Sequence, residues 1–358
     1  MRFGNRIANR RTCRIYTHDE QMKRILFITN AASFYKINLY NELQKKINVE
    51  AIFLDGNYSH RNADFLGNER NFKYYELSEY SFLSQIRRIV GILRNGNYDK
   101  VVYTGWDKSI YYLLALITSK MKNGTVVESS YIESKTTGLK AIIKRLFLSR
   151  ISTAYVSGEA QKKLMEALKF KGEIIKTFGV GLRNYIPQAS YKERNLVSKF
   201  LFVGRLTPVK NLEFLINYFN QHPELKLTIV GFGIQEEELR KIAADNVHFT
   251  GAIDNKKLPS VYQSHDVFIL PSKSEPWGLV VEEALNNGLP VLVSDKVGCA
   301  EDIVKEGENG FIFKYDSLYD LDVAVSKVTD IDAYNRMAKH ISETDIEAVK
   351  EKQVSGYL

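Results

Sequence analysis

Cysteine is all but missing from this chain: Cys13 and Cys299 are the only two in 358 residues. A disulfide framework is thereby excluded and a reducing, cytoplasmic setting expected. The six histidines are scattered without ligand spacing, so no metal site is expected. Long apolar runs are lacking too, and the stretch from Tyr111 to Thr118 is far too short to cross a bilayer. The leading segment "MRFGNRIANRRTCRIYTHDEQ" (1–21) is rich in arginine but has no apolar h-region, so it is not expected to be a secretory signal. We expect a disordered extension there, with the natural start at Met22, where "MKRILFITN" runs directly into a strand.

What is present fits a soluble globular protein, with 44% hydrophobic and 26% charged residues. The length exceeds one ordinary core, so two domains are the default. Net charge is +8 and unevenly spread: residues 1–180 hold 30 Lys and Arg against 16 Asp and Glu, the remainder 20 against 26. A basic front half suggests attraction to an anionic substrate or surface. No nucleic-acid partner is expected.

Short β-rich runs alternate with amphipathic stretches. "RILFITN" (24–30), "VEAIFLD" (49–55), "DKVVYTG" (99–105), "GTVVESS" (124–130) and "TAYVSG" (153–158) read as strands. Between them "INLYNELQKK", "SQIRRIVGILRNG", "IYYLLALITSKM", "LKAIIKRLFLSR" and "EAQKKLMEALKF" read as helices. Residues 182–198 lack periodicity and read as a linker. The rhythm then restarts with strands at "KFLFVG", "KLTIVG", "VHFTG", "VFILPS" and "LPVLVSD". The expectation is α/β: two Rossmann-like domains, 22–181 and 199–330, facing a cleft. Residues 331–358 are expected as helices packing across the junction.

Three loops of the second half carry polar functionality. "GRLTPVKN" (204–211) offers Gly204, the planar donor fork of Arg205 and the mobile point charge of Lys210, suited to phosphate oxygens. In "GFG", Gly231 and Gly233 permit close backbone approach to a ligand. "EPWGLVVEEALNNG" (275–288) predicts a helix starting near Gly278 or Leu279 and ending at Asn287 and Gly288. Amides near Leu279 and Val280 would face an anion at the helix start, Gly278 would let it approach, and Trp277 stands beside it. Glu283 lies about 6 Å along the helix, within reach of hydroxyls on an attached sugar, and Glu275 brackets the other side.

In "FVGRLTPVKN", "LTIVGFG", "VHFTGAI", "DVFILPSKSEPWGLVVEEALNNGLPVLVSD" and "VGCAEDIV", in that order over roughly 200–315, the chain resembles the donor-binding domain of family 4 glycosyltransferases of the GT-B fold. The Glu275 to Glu283 spacing matches that family's E-x7-E motif. The resemblance implies retaining, metal-independent transfer of a sugar from a nucleotide diphosphate-sugar to a glycan or lipid-linked acceptor. It implies that Arg205 and Lys210 neutralise the diphosphate, that Glu283 holds the ribose and that Glu275 holds the donor sugar. No cofactor is expected.

The front half resembles bacterial polysaccharide-assembly members more loosely, through "VVYTGWDKSIYYLLAL" and "GTVVESS". Relatives carry a glycine-rich first loop and a later histidine; here stand "TNAASFYKINLYNEL" and "GWDKS". Tyr35, Lys36, Trp106, Asp107 and Glu128 are the acceptor-side candidates. "KAIIKRLFLSR" suggests peripheral contact with an anionic membrane. Asp320-Leu321-Asp322 and Asp330-Ile331-Asp332 have the spacing of a metal-binding D-x-D but read as helix starts. The rival readings are a GT-B sugar-nucleotide epimerase, an inactive sugar-nucleotide-binding subunit, and a Rossmann oxidoreductase. The last lacks G-x-G-x-x-G because Glu236 stands at the third glycine.

Overall fold

A computed structural model describes residues 22–56, 69–184 and 186–358, so the expected extension at 1–21 lies outside the described residues. The first unit runs β1 (Arg24–Thr29), α1 (Phe34–Gln44), β2 (Asn48–Phe53), β3 (Lys73–Glu76), α2 (Phe82–Asn95), β4 (Lys100–Thr104), α3 (Ser109–Ile117), β5 (Asn123–Val127), α4 (Gly138–Leu148), β6 (Thr153–Val156), α5 (Glu159–Ala167) and β7 (Glu173–Lys176). The second runs β8 (Lys199–Val203), α6 (Leu212–Asn220), β9 (Lys226–Val230), α7 (Glu236–Ile242), β10 (Val247–Gly251), α8 (Leu258–Gln263), β11 (Val267–Leu270), α9 (Leu279–Asn286), β12 (Val291–Ser294), α10 (Ala300–Ile303) and β13 (Gly310–Phe313). Helices α11 (Leu318–Thr329), α12 (Ile331–Ser342) and α13 (Ile346–Ser355) follow.

Two parallel sheets result, ordered β3-β2-β1-β4-β5-β6-β7 and β10-β9-β8-β11-β12-β13. Their central strands are near-continuous apolar runs because helices cover both faces. Ile25, Leu26, Phe27 and Ile28 of β1 are fully buried, as are Phe200, Leu201 and Phe202 of β8. Strands β3, β7 and β13 went unforeseen. Edge strands β3 and β7 are half-exposed and carry charge at their ends, so no apolar run marks them.

Strand order reverses between β1 and β4, and again between β8 and β11. A crevice opens outside the carboxyl ends of strands at such a switch point. The loops after β8 and β11, which carry Lys210 and Glu275, therefore meet at one crevice. The loops after β1 and β4 meet at the other.

The tail divides differently from the expectation. Leu321, Val325 and Val328 of α11 and Tyr334, Met337 and Ala338 of α12 belong to the second domain's core. Only α13 crosses: Val354 and the following Tyr357 enter the first domain's core, where the Tyr357 ring stacks on Tyr155 with centroids 4.8 Å apart. Residues 331–342 are thus part of the second domain, because the apolar stripe of α12 has its partner there.

Nor is the linker a free tether. The Leu182 amide donates to Tyr35 O at 2.9 Å. Arg183 Nη1 donates to Glu282 Oε2 at 3.0 Å and Arg183 Nε to Asn286 Oδ1 at 3.0 Å.

Candidate functional site

Backbone hydrogen bonds stitch the loops of the second domain together. The Leu206 amide donates to Phe232 O at 2.9 Å, and the Lys273 amide to Val209 O at 2.8 Å. Gly231 has φ +136°, and a Cβ there would sit 1.8 Å from Gly204 O; a Cβ on Gly233 would sit 2.3 Å from Leu206 O. These glycines therefore let the loop after β9 lie on the Gly204 loop. Both positions thus have a packing reason to be glycine, since protein backbone already occupies the space a side chain would need.

That packing fixes Lys210, at the end of a 3₁₀ turn, against Glu275, whose carboxylate takes the Lys210 ammonium as its partner. Glu275 is held through its own backbone: its amide donates to Lys296 O at 2.9 Å and its carbonyl accepts from Gly298 N at 2.8 Å. Gly278 then turns left-handed, φ +103°, and α9 begins at Leu279. Arg205 is exposed and forms no ion pair among the described residues.

Trp277 does not face the crevice. It is 2% exposed, packed in the core, and its Nε1 donates to Glu282 Oε1 at 2.6 Å. We correct its assignment from ligand contact to support of the loop from behind; one turn of helix places Glu282 where the indole N–H can be satisfied.

Glu283, on the next face of α9, accepts from Tyr262 Oη at 3.2 Å. It opens on a cavity of about 400 Å³ lined by Arg183, Asn255, Lys256, Leu258 and Tyr262 among others. None of these liners was singled out in the sequence. Burial pushes the Glu283 carboxyl up from 4.5 to about 7, with neighbouring Glu282 adding to the shift while Tyr262 and Arg183 oppose it. An acid with a raised folded pKa stabilises the fold fully below about 4.5 and loses that contribution as pH rises through about 7. The melting temperature of the wild type is therefore expected to fall more steeply between those two pH values than that of Glu283→Gln. Parallel slopes in a pH series of thermal melts would contradict the assignment.

In the first domain Lys36 is buried, with its Nζ 2.9 Å from Glu128 Oε1 and donating to Thr29 Oγ1 and Asn30 Oδ1, each at 3.2 Å. Burial is the largest influence and would lower the Lys36 pKa, but Glu128, with Tyr35 and Asp107, together outweigh it and hold it above its ordinary value. Lys36 and Glu128 thus form an ion pair on the crevice floor. Tyr35 is half-buried and gives its carbonyl to the linker; Trp106 is half-buried beside Lys144, whose Nζ lies 5.4 Å from the ring centroid; Asp107 is exposed. Glu133 went unmentioned in the sequence reading. Desolvation first, with the charge of Glu275 adding to it, raises its pKa.

The domains clamp directly around this site. Gln161 Nε2 donates to Pro276 O at 2.6 Å, and Asp302 accepts from the Glu159 amide at 2.7 Å and from Lys176 Nζ at 2.9 Å. Among the described residues no group of three His, Cys, Asp or Glu side chains could hold a metal ion. Asp330 caps α12 by accepting from the Ala333 amide, Asp320 and Asp332 lie in the first turns of α11 and α12, and Asp322 accepts from Tyr218 Oη.

Residues 188–344 match the family model described as glycosyl transferases group 1. The Arabidopsis thaliana sulfoquinovosyl transferase SQD2 is 39% identical over 32% of this chain and 23% of its own length. The Escherichia coli O-antigen biosynthesis glycosyltransferase WbnH is 34% identical over 46% and 49% respectively. The chain thus spans about half, or less, of the length of these curated relatives. Among solved structures, the lipopolysaccharide outer core galactosyltransferase WaaB in its apo form aligns with TM-score 0.68 at 18% identity, over 94% of this chain and 100% of that one. Anabaena HepE in complex with UDP aligns with TM-score 0.69 at 14% identity, over 92% and 97%. At such identities the likeness shows the fold, which is GT-B: two Rossmann-like domains across a crevice.

Proposed function

Taking as premise a GT-B chain whose residues 188–344 form a glycosyl transferases group 1 region, we propose that this protein is a retaining glycosyltransferase of family 4. It moves a sugar from a nucleotide diphosphate-sugar to a glycan or lipid-linked acceptor in surface-polysaccharide assembly, without a metal and in peripheral contact with an anionic membrane.

One observation carries the reading: the Lys210–Glu275 pair stands at the start of α9, and Glu283, further along the same helix, opens on a cavity of nucleoside size. When the bond from the sugar's anomeric carbon to the diphosphate breaks, negative charge grows on the departing phosphate. Lys210, exposed Arg205 and the free amides of Leu279 and Val280 stabilise that charge from fixed positions. Released from Lys210, Glu275 accepts hydrogen bonds from the sugar's hydroxyls, while Glu283 accepts from the ribose diol. Lys36, Glu128, Glu133 and Trp106 bound the acceptor side. That Anabaena HepE is seen with UDP, and WbnH is an O-antigen enzyme, supports a nucleotide-sugar donor and a glycan acceptor.

Thermal-shift screening of UDP-, GDP- and ADP-sugars tests the reading. One class in about 100-fold excess over its Kd stabilises by about 2.7 kcal/mol, and turnover then depends on acceptor and is unchanged by EDTA. Absence of a shift with every class defeats the proposal. Donor conversion that needs no acceptor would make the protein an epimerase.

A further inference from the structure

Behind α9 lies a second cavity, of about 240 Å³, between the two domains. Its apolar walls are Phe178 after β7, Leu285 of α9, Ile303 of α10, Ile341 of α12, and Ile346 and Val349 of α13. An apolar void of about 150 Å³ admits benzene, so this one has room for about ten heavy atoms. Protein interiors pack densely, and an apolar space of that size forfeits contacts that a ligand of matching shape restores.

The backbone is strained around this space. Phe178 takes a left-handed φ of +55°, which a bulky side chain rarely adopts. Its carbonyl accepts from Gln353 Nε2 at 2.8 Å, and its ring lies under Lys352, whose Nζ is 3.7 Å from the centroid. Both contacts come from α13 and hold the ring in the cavity wall. Backbone strain held in this way concentrates at ligand clamps.

Charge defines what fits. Both acids that border the cavity are already taken, Glu282 by Arg183 at 3.0 Å and Asp302 by Lys176 at 2.9 Å. His340 and Lys305 stand at the mouth and share Glu308, at 3.8 and 3.7 Å. Lys352, exposed at the same mouth, forms no ion pair among the described residues. An apolar chamber with an uncommitted cation at its opening suits a small organic anion: the hydrocarbon body fills the chamber and the charged group meets Lys352.

We propose that this cavity is a second ligand site, for a small organic anion with an apolar body, and that its occupancy is coupled to the donor site. Arg183 and Asn286 border both this cavity and the one on which Glu283 opens. Helix α9 is therefore a shared wall, with Glu282 and Leu285 on one side and Glu283 on the other. A ligand here touches the linker, α9 and α13 at once, so it favours the domain arrangement in which these close around it. A second ligand that prefers the same arrangement gains by the same factor. Only the coupling to a donor rests on the proposed function.

A ligand-observed NMR titration of the full chain with hydrocinnamate, an apolar-bodied carboxylate of about that size, tests the site. The wild type is expected to bind it with a Kd below about 1 mM, and the uncharged hydrocinnamyl alcohol about tenfold more weakly. Lys352→Gln is expected to weaken hydrocinnamate about tenfold and leave the alcohol unchanged. Val349→Trp fills the chamber and is expected to abolish binding of both. The Lys352 variant leaves the apolar wall intact, so a folding defect in the tryptophan variant does not decide the question. No binding up to about 10 mM, an alcohol that binds as well as the acid, or variants that bind as the wild type does, overturn the proposal. With hydrocinnamate saturating, the donor Kd from thermal shift is expected to tighten about fivefold in the wild type and to stay unchanged in Val349→Trp. An unchanged wild-type donor Kd overturns the coupling. Failure of every nucleotide-sugar to bind, with hydrocinnamate still bound, counts against the proposed function and the coupling and not against the anion site.

Discussion

Lys210→Ala is expected to lower kcat by about 10²–10³-fold while the donor KM moves much less. A fixed donor aimed at charge that develops only in the transition state has an effect of that size when removed. Lys210 is held in place by the loop after β8 and pairs with Glu275. Two consequences follow from the pairing. Glu275→Gln is expected to be comparably damaging, because it removes the group that steers the sugar and leaves a cation with no partner. The double variant should lose less than the product of the two single losses, as expected for residues in direct contact. Circular dichroism and thermal melts establish that the variants fold. Single-turnover rates for Lys210→Ala within fivefold of wild type would remove it from the chemistry.

Arg183→Ala is expected to destabilise the protein by about 3–5 kcal/mol, lowering the melting temperature by on the order of 10 °C. Arg183 and Glu282 each expose only 4% of their side chains, and their contact joins the linker to α9. Glu282 also accepts from Trp277 Nε1 and from Gln353 Nε2, at 2.6 and 3.0 Å. Four segments therefore converge on one carboxylate: the linker, the Glu275 loop, α9 and α13. Removing the guanidinium strands a buried charge, which costs far more than the ion pair contributes when intact. Arg183→Met combined with Glu282→Gln removes both charges and should recover much of the loss. A single variant that melts within about 2 °C of wild type would show that water or a rearranged side chain already compensates the carboxylate.

The buried strands and the helices between them were legible because their signals are local. "RILFIT" and "KFLFV" are apolar throughout, as strands buried on both faces must be. That Lys210 and Glu275 would come from neighbouring loops was legible as well, because loops that follow such strands lie at the switch points. Arg183 and Glu282 were not. An arginine in an aperiodic stretch and one of two adjacent glutamates carry no mark of burial, and only their meeting across 99 residues gives them a role. Tyr262, Asn255 and Lys256 escaped for the same reason, since they border Glu283 only once α8 packs beside α9.

By itself the sequence determined the two parallel α/β units, the residue types available at the crevice and the basic character of the front half. These follow from composition and from periods of two and 3.6 along the chain. Tertiary structure alone decided which groups touch. It turned Trp277 inward to Glu282, set Gly231 on the backbone of Gly204 and sent α13 back to the first domain. The physical reason is that a side chain's environment is set by elements distant in sequence, and a pattern within one element does not say which neighbour will cover it.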